Sequence, residues 1–196
     1  MKEIIKQQFT DNKESWIKSF QSGLSQDIDG NFLPWYTYPA INHLKKTIKP
    51  TDTIFEFGSG SSTIFYAHLA KKVTSIETNP KWLNIVSKTL NSKNLKNFHI
   101  NLMEDGISSN EYQIFPNRSK EKFDIIIIDS IKRYQCAINS LNYLKAAGII
   151  ILDDSQRTNY KKIFDFYKQK GFSAKNFIGI EPGKLKIKHT TIFYKS

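Results

Sequence analysis

The chain has 196 residues, 39% of them hydrophobic and 13% aromatic; that is enough apolar material for the core of one domain, and it excludes a disordered chain. Its one cysteine, Cys136, excludes a disulfide framework, a zinc ribbon and a cysteine-ligated iron–sulfur cluster. The net charge is +11, but Arg118, Arg133 and Arg157 are the only arginines and the lysines are dispersed, which reads as a solvated surface more than a polyanion-binding face.

The N-terminal stretch carries no long apolar run, and runs such as Ile125 to Ile128 are far below the ~20 residues of a bilayer span. A soluble, cytoplasmic protein is expected. Residues 1–33 read as a polar helical appendage with Ile4, Ile5, Phe9, Trp16, Ile17 and Phe20, followed by breakers up to Gly30. The remainder, 34–196, reads as one domain. Tyr38-Pro39 opens a helix that Pro50 closes, and from there strands and helices alternate.

The expected strands are 53–57, 73–77, 97–102, 123–129 and 148–152, and the expected helices run to about 70, from 80 to 90, from 134 to 145 and from 159 to 170. The unbroken isoleucine run at 125–128 is the mark of a strand buried on both faces of a parallel sheet. Residues 172–180 and 185–194, joined by Glu181-Pro182-Gly183-Lys184, read as an antiparallel hairpin. The expected fold is therefore an α/β three-layer sandwich, a mostly parallel seven-stranded sheet with a C-terminal antiparallel hairpin.

The chemistry starts at Glu56-Phe57-Gly58-Ser59-Gly60. Two glycines between a strand and a helix let the backbone turn tightly and approach a ligand. Glu77 ends the next strand, nineteen residues after Gly58, where an ionised carboxylate can accept both hydroxyl protons of a ribose. Thr63 stands where a dinucleotide site wants a third small residue, so a pyrophosphate cradle is less well made.

With these residues the sequence resembles the class I S-adenosylmethionine-dependent methyltransferases over about residues 38–194. Their acid-x-Gly-x-Gly motif is matched at 56–60, the acid of the second strand at Glu77, the acid of the fourth strand at Asp129, and the glycine of the fifth strand at Gly148. The resemblance implies that Glu56, Gly58, Ser59 and Gly60 hold the methionine end of S-adenosylmethionine. It also implies that Glu77 holds the ribose, Glu104 or Asp105 the adenine amine, and that Asp129 lies beside the bound cofactor. Trp35 and Tyr36 are lid candidates, against ordinary packing.

A polar cluster, Asp129, Arg133, Asp153, Asp154, Arg157 and Tyr160, is expected at the C-terminal edge of the fourth and fifth strands. It resembles in part the metal-dependent catechol and caffeoyl-CoA O-methyltransferases. Asp129, Asp153 and Asp154 could then hold a divalent cation, but Asp153-Asp154-Ser155 departs from their Asp-Asn pair and a metal-free site is favoured. Asp129 or Asp153 is the expected base, with Arg133 beside them. Arg133 and Arg157 either pair with these acids or receive an anionic acceptor.

The expected activity is methyl transfer to oxygen of a small-molecule or glycan-type acceptor. The alternatives are an RNA methyltransferase using the basic surface, an NAD-binding oxidoreductase and a non-catalytic nucleotide-binding module. Cys136, inside a helix, reads as a packed residue.

Overall fold

Alternating side chains decide the architecture. In the computed structural model, which describes residues 2–105, 108–116 and 121–195, β1 (Thr53–Phe57) turns Ile54 and Glu56 to one face and Phe55 and Phe57 to the other. Strand β4 (Phe123–Ile128) does the same, with Ile125 and Ile127 in one core and Ile126 and Ile128 in the other. A strand apolar on both faces needs helices above and below it, and that sets the three layers.

The other elements follow in chain order. Helices α1 (Lys2–Asp11) and α2 (Lys13–Ser22) precede α3 (Tyr38–Thr47), capped by the Thr37 hydroxyl. After β1 come α4 (Ser61–Leu69), β2 (Lys72–Glu77), α5 (Pro80–Ser92), β3 (Phe98–Leu102) and the short α6 (Glu111–Ile114). After β4 come α7 (Arg133–Ser140), β5 (Leu144–Leu152), α8 (Lys161–Gln169), β6 (Ser173–Glu181) and β7 (Lys184–Tyr194). The sheet order is β3-β2-β1-β4-β5-β7-β6, with β7 antiparallel to both its neighbours and every other pairing parallel. This is the expected seven-stranded sheet with its terminal hairpin. The order in which strands are added reverses between β1 and β4, the switch point at which open α/β sheets bind ligands.

Two boundaries differ from the sequence expectation. The helix after β4 stops at Ser140, not at about 145, and β5 starts at Leu144, so Gly148 lies inside the strand. Burial accounts for this: Tyr143 and Leu144 enter the core, and Leu144 pairs with Phe123. The polar N-terminal segment is a pair of helices, and α1 lies along β6. Gln8 donates from Nε2 to the Ile178 carbonyl (3.1 Å) and accepts at Oε1 from the Ile180 amide (2.9 Å). One side-chain amide thus satisfies two backbone groups on the outer edge of the sheet. Among the described residues no helix is long and apolar enough to cross a membrane.

Candidate functional site

The turn from β1 into α4 passes under the end of β4. Gly58 has φ +97°, and a Cβ there would lie 2.9 Å from the Asp129 carbonyl oxygen, so both the backbone conformation and the space call for glycine. Glu56, 1% exposed, sits beneath the loop and accepts hydrogen bonds from the hydroxyls of Ser62, Thr63 (2.6 Å) and Ser75 (3.0 Å). Burial pushes its carboxyl up to about 7, although these three hydroxyls favour the charged form. Thr63, the residue too large for a dinucleotide loop, also accepts from the Gly60 amide at 2.9 Å. It closes a polar ring around Glu56.

Glu77 ends β2 as expected, but its oxygens already serve the loop. Oε2 accepts from the Ser59 amide (3.1 Å) and hydroxyl (2.9 Å), and Oε1 from the amides of Thr78 (2.7 Å) and Asn79 (3.0 Å). Trp82 covers the turn, donating from Nε1 to the Ser59 carbonyl at 2.7 Å, with its ring 3.9 Å from a Cβ built at Gly60. The sequence reading took the segment only as a helix start. Asn79 caps α5 with its side chain, and the cap puts Trp82 in the first turn, aimed back at the glycines.

Three cavities follow one another along this sheet edge. A central one of about 100 Å³ is lined by Glu56, Gly58, Ser59, Gly60, Ser61 and Ser62 and walled by Trp35, Trp82 and Asp129. The Ser61 hydroxyl oxygen, on the first turn of α4, is buried without a hydrogen-bond partner among the described residues. Beyond Glu77, an open hollow of about 430 Å³ is lined by Met103, exposed Glu104 and Asp105, and Glu111. On the other side a cavity of about 620 Å³ is lined by Asp129, Asp153, Asp154, Arg157, Glu181 and Lys188, among others. Trp35 and Asp129 wall both this large cavity and the central one. Tyr36 is fully buried and bonds to Tyr66 (3.3 Å), so of the two lid candidates it is a core residue.

The acids of β4 and β5 converge as expected, and their partners are now defined. Asp129 Oδ1 accepts from Arg133 at 2.7 Å, while its other oxygen has no hydrogen-bond partner among the described residues. Arg133 donates also to the carbonyls of Ser130 and Asp153, so it clamps the end of β4 to the end of β5. Arg157 is half exposed and pairs with Asp154. Asp153, 2% exposed, accepts from the Thr190 hydroxyl at 2.8 Å and from Lys188 at 2.5 Å. Burial, with Asp129 nearby, pushes its carboxyl up to about 7 against the pull of Lys188. Burial also opposes the charge on Asp154, but Lys188, Arg133 and Arg157 hold its carboxyl below the ordinary value.

Lys188 was not singled out from the sequence. It lies on β7, 6% exposed, with Nζ also 2.8 Å from the Trp35 carbonyl, 3.1 Å from Asp154 and 3.2 Å from Glu181. Among the described residues no group of three or more His, Cys, Asp or Glu is arranged to hold a metal ion. The carboxylates that do come together meet around this ammonium.

No family model and no curated protein matches the sequence. The fold, in contrast, is shared with many solved structures. An rRNA methylase from Streptococcus thermophilus superposes with a TM-score of 0.62 at 16% identity, over 80% of this chain and 96% of its own. A candidate methyltransferase from Streptococcus mutans in complex with SAH gives 0.58 at 16% identity, over 79% and 94%. A methyltransferase from Pyrococcus furiosus gives 0.60 at 18% identity, over 97% and 98%. The chain has the Rossmann-like fold of these methyltransferases.

Proposed function

We propose that the protein is an S-adenosylmethionine-dependent methyltransferase that works in the cytoplasm and methylates an oxygen of a small-molecule or glycan-type acceptor. The observation that carries this reading is the row of three cavities with the glycine turn in the middle and the buried, unpartnered Ser61 hydroxyl inside it. Such an orphaned hydroxyl beside two glycines at a helix start fits the polar amino-acid end of the cofactor. Glu77 and Asp105 would then face its ribose and adenine, and Glu56 would back the loop. That the S. mutans structure with this fold contains SAH supports the same cofactor.

When bound, S-adenosylmethionine supplies a methyl carbon made electrophilic by the adjacent sulfonium. The residues of the chain have the other tasks. Trp35 and the walls of the large cavity would orient the acceptor hydroxyl for in-line attack. Asp129, with one oxygen fixed by Arg133 and the other unengaged among the described residues, would take the hydroxyl proton as the new carbon–oxygen bond forms and the carbon–sulfur bond breaks, the bonding pair leaving on sulfur as the neutral thioether. Asp153, with both oxygens engaged, is the less suitable base and would act by positioning.

Titration calorimetry with S-adenosylhomocysteine and NAD tests the reading. Binding of the first and not the second is expected, and the reverse result would overturn it. Glu77→Ala should weaken S-adenosylhomocysteine by about 1.5–3 kcal/mol, as for hydrogen bonds to a charged group. A second reading, RNA as acceptor, is favoured by the +11 charge and by the rRNA methylase among the structures of like fold. RNA binding that falls steeply with salt would support it.

A further inference from the structure

We infer that Lys188 is a tethered cation: its ammonium takes the place in the acceptor cavity that a divalent metal would occupy among the same oxygens, and it positions the acids around it. Four oxygens from three parts of the chain meet at Nζ: Asp153 at 2.5 Å, Trp35 carbonyl at 2.8 Å, Asp154 at 3.1 Å and Glu181 at 3.2 Å. An ammonium has only three protons to donate, so this shell is saturated and resembles the all-oxygen environment of a hard cation.

Removing this lysine would leave three carboxylates, two of them nine-tenths buried or more, with no cation at their centre and only Lys184 on the outer side of Glu181 and Arg133 and Arg157 on that of Asp154. A buried cluster of that kind is strongly destabilised unless a cation returns. Burial disfavours the charge on Lys188, but Asp153, Glu181 and Asp154 raise its pKa above the ordinary value, so it stays an ammonium at neutral pH and has no lone pair for base chemistry. Its effect is exerted through its neighbours. It fixes one oxygen of Asp153, ties the β6–β7 turn to the end of β5, and holds the backbone of Trp35, the wall between the central and large cavities.

The inference rests on the methyltransferase reading only for its turnover arm. The test compares wild type with Lys188→Met, titrated with Ca²⁺ and Mn²⁺ alone. Wild type should bind neither ion, show no change in Tm with Ca²⁺, and turn over unchanged in EDTA. Lys188→Met should melt lower, recover Tm in millimolar Ca²⁺, bind Mn²⁺ with a Kd below about 1 mM, and regain turnover with added metal. If the variant folds only with Ca²⁺ present, that is the same result in stronger form.

The inference is overturned if wild type binds Mn²⁺ at these carboxylates and loses turnover in EDTA. It is equally overturned if Ca²⁺ restores neither the fold nor the Tm of Lys188→Met. The metal arms need no cofactor, so they stand or fall separately from S-adenosylhomocysteine binding.

Discussion

Asp129 is one carboxylate with two engagements, a carbonyl beneath the glycine turn and a side chain clamped by Arg133. Asp129→Asn keeps the shape and removes the proton acceptor. Turnover should fall by about 10²–10⁴, the usual size of a general-base contribution, while S-adenosylhomocysteine binding stays within a few-fold. Loss of both together would make Asp129 a cofactor ligand only. Glu56 carries the pH prediction. Its carboxyl rises from an ordinary 4.5 to about 7 in the fold, so the native state holds its proton more tightly than the unfolded chain. The stability it contributes is present below about 4.5 and is lost as pH rises through 7. Thermal melts from pH 5 to 8 should decline, and Glu56→Gln should flatten that decline. An unchanged slope in the variant would place the titration elsewhere.

At the scale of elements, the sheet was legible because hydrophobic periodicity and the glycine turn are local signals. The order of acids and glycines on successive strands was equally legible. What escaped were features made by register and by distant partners. Lys184, Lys186 and Lys188 alternate with apolar residues, a pattern of outward-facing lysines; only Asp153 and Asp154, at the end of another strand, and Glu181, across the hairpin turn, make the last of them a buried one. Residues 141–147 carry no strong period; Leu141–Tyr143 form a 3-10 turn, and the pairing of Leu144 with Phe123 decides where the strand starts. The Gln8 contact is likewise non-local. Gln8→Ala should cost about 1–2 kcal/mol in urea unfolding, the scale of two hydrogen bonds at a partly exposed edge. Gly179→Ala should cost a similar amount, because the new Cβ would lie 2.0 Å from the Gln8 amide oxygen and expel that side chain. The double variant should therefore cost little more than either single one. Strict additivity would mean that the amide is not what Gly179 accommodates.

For the whole molecule, α1 and α2 are not needed to complete the seven strands, yet α1 covers the edge at which β6 would otherwise present open backbone. The same N-terminal segment runs on to Trp35, whose ring lies 4.4 Å beneath the Lys184 ammonium and whose carbonyl is held by Lys188. Truncation before residue 23 should expose the edge and make the protein associate with itself, read by light scattering against the full chain. A truncated protein that stays monomeric would mean that the edge is protected by its own twist.

The shared wall at Trp35 and Asp129 also has a consequence in time. Two compartments divided by the same two residues cannot fill and empty independently, because whatever seats the partition for one guest alters the doorway for the other. The donor would fill the smaller chamber and seat that partition, so it should enter first and its spent form leave last. Steady-state kinetics would then show an obligatory queue: S-adenosylhomocysteine competes with the donor alone, and excess acceptor stalls the enzyme by trapping it with spent cofactor inside.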